Sequence, residues 1–274
     1  MNNLSEERKF LVTASNAHRI MAGYEKELQP LEFEPFLQWQ DVYEEVKKGV
    51  IDIRTLKKQF KTITAKQRDD ILKLIEHKKP FQLTKGMESY AMEIAQAYFT
   101  KEGEDEENYQ SDAMKNGVLT EYDAVNAAEK YLNVEFDLTL ENQQFFKIEN
   151  IGATPDGMLF DDLFLPSEGL EVKRPTRKVH FFNLNYIQTQ DDLLKEYPNY
   201  YWQCMTGIAV TGAKKWHWFS HNDTLFDDYS LVHVEVNPVD IHIKLLKKRA
   251  ALVIERANNI VNDLKNKIEI KKAA

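Results

Sequence analysis

Residues 150–175 read NIGATPDGMLFDDLFLPSEGLEVKRP. Within them, Leu170–Lys173 has the composition of a strand, and a strand turns alternate side chains to opposite faces. Leu170 and Val172 therefore share one face, and Glu171 and Lys173 share the other. Pro175 cannot continue a central ladder and ends the run. Upstream, Pro155-Asp156-Gly157 marks a turn or bulge. A hairpin through DDLFLPSEG then brings Asp156 beside Glu171. Two carboxylates held together away from water repel unless a cation neutralises them. Oxygen ligands without Cys or His favour Mg²⁺ or Mn²⁺. Lys173 cannot ligate a metal while protonated. It can orient or help deprotonate a water and stabilise charge growing on a phosphate. On an exposed hairpin, the same residues would be an ordinary Glu–Lys pair.

Two further positions bear on that choice. Glu121 heads the stripe Glu121, Val125, Ala128, Leu132 on a helix over about 113–132, a spacing that points the carboxylate inward, where it needs a partner. Gln203 sits among aromatic and small residues in NYYWQCMTGIAVTG, a helix over about 199–211 stopped by Gly212. A buried glutamine can equally be satisfied by backbone groups.

The remaining pattern predicts a helix over 15–22, with Thr13 or Ser15 as its cap and Gly23 as its end, and another over 87–99. Residues 33–79 hold two or three helical segments broken near Gly49 and Thr62–Thr64 and stopped by Pro80. KEGEDEENYQ is an acidic loop. Strands are expected near 134–140, 145–151, 158–160, 170–173, 216–220 and 231–236. Apolar residues from Val239 to Leu264 recur at alternating spacings of four and three, one stripe of a long helix over 238–272. Such a stripe serves a core or a subunit contact. The layout is α/β: a small mixed β-sheet flanked by helices.

The totals exclude several classes. The 274 residues are 43% hydrophobic and 29% charged, ordinary for a globular chain. No apolar run approaches a membrane span, and no signal-peptide core opens the sequence. A lone cysteine, Cys204, excludes a disulfide framework and a Cys-rich metal or iron–sulfur site. A cytoplasmic protein is the expectation. The net charge of −8 argues against nucleic-acid binding by bulk electrostatics. Charge is nonetheless uneven, with eleven Lys/Arg against four Asp/Glu over 47–79 and a second cluster at Lys173, Arg174, Arg177 and Lys178.

Five stretches in order, RKFLVTASNAHRIM, NGVLTEYDA, GATPDGML, GLEVKRP and YYWQCMTGIAVTGAKKWHW, resemble the phage lambda-exonuclease-like (YqaJ-type viral recombinase) family of the PD-(D/E)xK nuclease superfamily. The resemblance implies a single nuclease domain over 1–274 with a PD-(D/E)xK nuclease-like core, a helical insertion over 25–84 and the C-terminal helix. It implies that Asp156, Glu171 and the backbone carbonyl of Val172 hold Mg²⁺ or Mn²⁺, as one or two ions, with Glu121 completing the acidic site. Lys173 would act on the attacking water, and Gln203 would position that water or Lys173. Arg8, Ser15 and Thr154 match the positions that capture a terminal 5′-phosphate. The first backbone amides of a helix and an arginine fork suit such an anion.

The implied activity is 5′→3′ digestion of one strand of duplex DNA, releasing 5′-phosphomononucleotides and leaving 3′ single-stranded tails for phage-type recombination. The implied partners are double-stranded DNA ends, further copies of the chain in a ring-shaped trimer, and a single-strand annealing protein. The setting would be a bacterial or phage-infected cell. Two other readings are a restriction-type endonuclease on the same core and a non-catalytic module that binds DNA ends. The sequence departs from the family pattern in having Phe146 at a customary acidic position and a longer loop between Asp156 and Glu171.

Overall fold

A computed structural model describes residues 10–24, 83–100 and 112–273, with side chains from 121 onward in the last segment. The chain divides into two units, Met1–Ala22 with Thr84–Ala274, and Gly23–Leu83. The helical segments expected over 33–79, the acidic loop over 101–110 and Arg8 lie outside the described residues, as does nearly all of the 25–84 stretch.

Among the described residues, seven strands form two small mixed sheets. The first has the order β1 (Val12–Thr13), β3 (Ile151–Ala153), β2 (Phe146–Ile148), and the second runs β4 (Gly157–Phe160), β5 (Pro166–Lys173), β6 (Lys215–His221), β7 (Leu231–Val236). In the second sheet β5 and β6 are parallel, pairing Glu171 with Trp218, while β4 and β7 are antiparallel edges. Seven α-helices among the described residues accompany them: α1 (Ala17–Met21), α2 (Lys85–Phe99), α3 (Asp112–Leu132), α4 (Arg177–Tyr186), α5 (Gln190–Glu196), α6 (Pro198–Thr211) and α7 (Asp240–Ala273). No helix among the described residues is long and apolar enough to cross a membrane.

The helix ends follow local chemistry. Thr84 accepts a hydrogen bond from the Met87 amide at the start of α2, and Thr189 with Asp192 forms a capping box on α5. Pro198 opens α6, and Gly212, at φ 74°, ends it in the left-handed conformation a glycine adopts without strain.

Packing then places α3 and α6 on opposite faces of β5. Leu170 and Val172 join Ala124, Val125 and Ala128 of α3 in one buried cluster. On the other face, Trp216 is wedged between strand and helix. A Cβ on Gly169 of β5 would come within 2.3 Å of its indole, and one on Gly207 of α6 equally within 2.3 Å. These two glycines let α6 lie close over β5.

Several expectations are corrected. The segment 134–140 is not a strand; it touches the second sheet only by a bridge from Leu138 to Met158. The single strand expected over 145–151 is two, β2 and β3, because Glu149 takes a left-handed φ of 51° and reverses the chain. The strand around Leu170 begins four residues earlier, at Pro166. Helices α4 and α5 were not expected. The stripe of α7 is buried at Leu246, Ala250, Val253 and Ala257, against α2 and α1, whereas Leu264 is 41% exposed. Arg249, buried on α7, donates to the Ile20 carbonyl at 2.7 Å and the Ala22 carbonyl at 3.1 Å. It thereby satisfies carbonyls that the end of α1 leaves without helical partners.

Candidate active site

The β4–β5 hairpin assembles the charged centre. The Asp156 amide donates to the Leu170 carbonyl at 3.0 Å, and the Val172 amide donates to Asp156 Oδ2 at 2.9 Å. Asp156 thus lies against the strand that carries Glu171. Glu171 is 2% exposed, and its Oε1 accepts a hydrogen bond from Lys173 Nζ. The roof over this face is α6: Tyr200 places its ring 5.3 Å from Lys173 Nζ, and buried Cys204 lies within the field of both carboxylates.

The charges do not balance. Desolvation pushes the Asp156 carboxyl well above the usual carboxylate range; the Glu171 charge adds to this, and Lys173 and the Val172 amide oppose it. Glu171 is raised as well, by desolvation first, with Lys173 opposing. For Lys173, burial works against its charge, but Glu171 and then Asp156 outweigh it, and the ammonium is held above its ordinary value. Burial, followed by the Glu171 charge, also pushes the Cys204 thiol well up, so it is an inert core group.

Glu121 stands differently from expectation. Val125 and Ala128 of its stripe are buried, but Glu121, one turn before Val125, is exposed. Its charge still reaches the site and raises both Asp156 and Glu171. Among the described residues, no three His, Cys, Asp or Glu side chains close into a ligand cage. The pair Asp156–Glu171 forms, and Glu121 stands off from it.

A polar cleft of about 420 Å³ is reached two residues before Asp156, at Thr154, and one before Cys204, at Gln203. Ser15 and Asn16 line it from one segment, Gln143, Phe145 and Thr154 from another, and Gln203 from α6. Three sequence-predicted residues, Ser15, Thr154 and Gln203, therefore meet. Ser15 is not a helix cap. It lies inside a 3₁₀ turn, Ala14–Asn16, that precedes α1. Thr13 Oγ1 bonds Ser15 Oγ at 3.3 Å and accepts from Asn16 Nδ2 at 3.1 Å, so these side chains bond one another instead of the following amides.

Two contributors lie outside the residues that the sequence marks for the site. Tyr200 falls three residues before Gln203, so both lie along one side of α6; that spacing was there to be read. Arg174 pairs with Asp123 of α3 at 3.1 Å and with Asp223 at 2.9 Å, anchoring the end of β5 next to Lys173.

The chain belongs to the YqaJ-like viral recombinase domain family, whose model matches residues 54–214. Its fold, helices packed about small mixed sheets, is similar to that of alkaline exonucleases of known structure. It superposes on an alkaline exonuclease, LHK-Exo, from Laribacter hongkongensis with a TM-score of 0.58 at 17% identity, over 98% of this chain and 97% of that one. The same exonuclease in complex with dAMP gives a TM-score of 0.59 at 18% identity over the same shares. A phage-related exonuclease from Haemophilus somnus 129PT gives 0.50 at 10% identity, over 67% of this chain and 86% of that one. No curated protein sequence matches the chain.

Proposed function

We propose that this protein is a divalent-metal-dependent exonuclease that digests one strand of duplex DNA from the 5′ end and leaves a 3′ single-stranded tail. The observation that carries the proposal is the pair Asp156–Glu171, desolvated, short of positive charge and close in the fold to a polar cleft. Membership of the viral recombinase family and the exonuclease fold support the same reading.

The donor set suits a hard divalent cation. Two carboxylates that desolvation holds above their ordinary values are relieved by one, and their oxygens are hard ligands. Asp156, Glu171 and the Val172 carbonyl would hold it, with Glu121 placed at the rim for a second ion. When bound, Mg²⁺ or Mn²⁺ supplies Lewis-acid activation of water and charge stabilisation at the phosphate.

The chain's own residues do the rest. Lys173, held protonated by its two carboxylate neighbours, offers N–H donors and positive charge to a phosphate oxygen or the attacking water. Neutralising those carboxylates removes the fields that raise it and brings a proton-accepting role within reach. Gln203 reaches the cleft from the helix that covers Lys173 and can orient water between the two. Ser15 and Thr154 offer hydroxyl donors to a terminal phosphate; Arg8 would add the guanidinium. Copies of the chain arranged as a trimer around the duplex would make digestion processive, and a single-strand annealing protein would take up the tail.

The test is a linear duplex labelled at one 5′ end, with and without its 5′-phosphate, alongside a covalently closed circle, in Mg²⁺. The expected result is early release of labelled mononucleotide from phosphorylated ends, an intact circle and no cleavage by Lys173→Ala. A cut circle would mean an endonuclease. Retained end binding without hydrolysis in Mg²⁺ or Mn²⁺ would mean a binding module.

A further inference from the structure

Helix α4 buries polar residues and exposes aromatic ones. His180 and Asn183 are 0% and 2% exposed and bond Ser220 Oγ at 2.7 and 2.9 Å. Phe181 and Tyr186 are each 62% exposed, and Phe182 37%. Apolar rings in water on an ordered helix need a partner or a purpose.

These rings are not isolated from the site. Tyr186 packs on Phe182 at 4.8 Å between centroids, and Phe182 meets Tyr197 edge-on at 6.5 Å. Tyr197 lies 5.5 Å from Tyr200, whose ring faces Lys173 Nζ. Buried Trp218 stacks beneath both tyrosines, at 6.4 and 6.0 Å, as a rigid floor. A continuous aromatic path thus leads from solvent to Lys173. Tyr197 precedes the first turn of α6, and Tyr200 and Gln203 lie three residues apart along one side of the helix. Tyr200, whose ring faces Lys173, thus links the aromatic path at Tyr197 to the helix that carries Gln203 to the polar cleft.

The charge on the path selects its occupant. Lys178, Phe182 and Tyr186 are spaced by four and form one stripe of α4. Arg177 stands beside it, its guanidinium held by Thr224 Oγ1 at 3.0 Å. The sequence of α4, RKVHFFNLNY, contains no carboxylate, in a chain of net charge −8. Exposed rings interleaved with cations are the chemistry that binds single-stranded nucleic acid, with the rings stacking on bases of any sequence and the cations meeting phosphates.

We propose that Tyr186, Phe182, Tyr197 and Tyr200 form a stacking path for the unpaired bases of a DNA strand whose backbone passes Lys173, with Lys178 and Arg177 meeting its phosphates. The inference deepens the nuclease reading by assigning a subsite to the strand downstream of the reacting phosphate. Its binding test is independent of cleavage.

The experiment measures fluorescence anisotropy of a labelled oligothymidylate of about 12 nucleotides in chelator, so that nothing is cut. The double variant Phe182→Ala/Tyr186→Ala is expected to weaken binding about tenfold or more, and Tyr186→Trp to preserve it, because an indole offers a base the same stacking face. Lys178→Gln should lower the salt dependence of binding by about one phosphate contact. 2-Aminopurine within the oligonucleotide should be quenched by the wild type and not by the double variant. Thermal unfolding of each variant, together with Tyr186→Trp, establishes that the helix is intact.

Unchanged affinity and quenching in a folded double variant would overturn the path. So would a change in mass in solution without a change in oligonucleotide affinity, which would make these rings a contact between protein chains. Ring-dependent binding by a wild type that fails to hydrolyse duplex would keep the path and remove the nuclease reading. Active cleavage with ring-independent binding would do the reverse.

Discussion

The two faces of β5 carry similar side chains to different ends. On one, Glu171 and Lys173 meet Asp156, and a single ammonium faces two desolvated carboxylates and the outlying charge of Glu121. On the other, Glu168 accepts from His217 Nε2 at 2.8 Å, and His217 Nδ1 bonds His233 Nε2 at 2.9 Å. Lys215 reaches Glu168 and Glu235, each at 3.4 Å. There each carboxylate has a donor, and the two imidazoles link into the same hydrogen-bonded chain. Burial of ionisable groups is common to both faces. What marks the first as a site is that, among the described residues, its carboxylates outnumber their cationic partner, and that a cleft lies close by in the fold.

The largest effect that should separate the faces is on hydrolysis. Glu171→Gln and Lys173→Ala are each expected to lower cleavage of a phosphorylated duplex by about 10²- to 10⁴-fold, while Glu168→Gln leaves the rate unchanged. Equal losses on both faces would erase the distinction. Metal linkage comes next. At about 100 times its Kd, Mg²⁺ or Mn²⁺ should stabilise the wild type by about 2.7 kcal/mol, with chelator reversing it. Thermal unfolding should show that shift lost in Asp156→Asn and kept in Glu168→Gln.

Packing effects are of similar or smaller size. Gly169→Ala drives a methyl into the Trp216 indole and should cost ~1–3 kcal/mol in denaturant unfolding. Glu168→Ala strips His217 Nε2 of its acceptor and should cost about 1–3 kcal/mol with activity retained.

The smallest effect is in the pH profile, and its sign differs between the faces. Asp156 and Glu171 are raised, so the folded state holds their protons more tightly than the unfolded chain. Their contribution to stability is full below their ordinary values of 3.8 and 4.5 and is lost as pH rises through the folded values. His233 is lowered, by burial first and then by His217, from 6.5 to about 4. Its contribution is full above 6.5 and is lost as pH falls towards about 4. In chelator, Asp156→Asn should therefore flatten the loss of thermal stability towards neutral pH. His233→Gln should flatten the loss on the acid side. Identical profiles for the two variants would contradict this assignment of charge to the two faces.

Legibility followed local regularity. The alternation at Leu170–Lys173, the stop at Gly212 and the stripe of α7 could be read because each obeys one backbone period or one conformational rule. Helix α4 could not, since it buries His180 and Asn183 and exposes Phe181 and Tyr186, the reverse of an amphipathic helix. Glu149 hid a reversal because a non-glycine residue gave no warning of its left-handed φ. Ser15 satisfied the rule for a helix cap, yet Thr13 and Asn16 were close enough to take its place in a local hydrogen-bonded turn. Glu121 is in phase with the buried Val125 and Ala128, but whether a position on a stripe is covered depends on what packs against it, and Glu121 is exposed.

The sequence by itself determined that Glu171 and Lys173 share a face, because the pleat of a strand has a period of two whatever surrounds it. It also presented the hairpin that returns Asp156 to them. Tertiary structure alone decided how many charges meet there and what adjoins them. Gln203 and Tyr200 come over from α6, and the Ser15 turn is set by α1, which Arg249 holds from 229 positions away. Backbone period is a local property, whereas desolvation and uncompensated charge are sums over neighbours in space, and only the fold selects those neighbours.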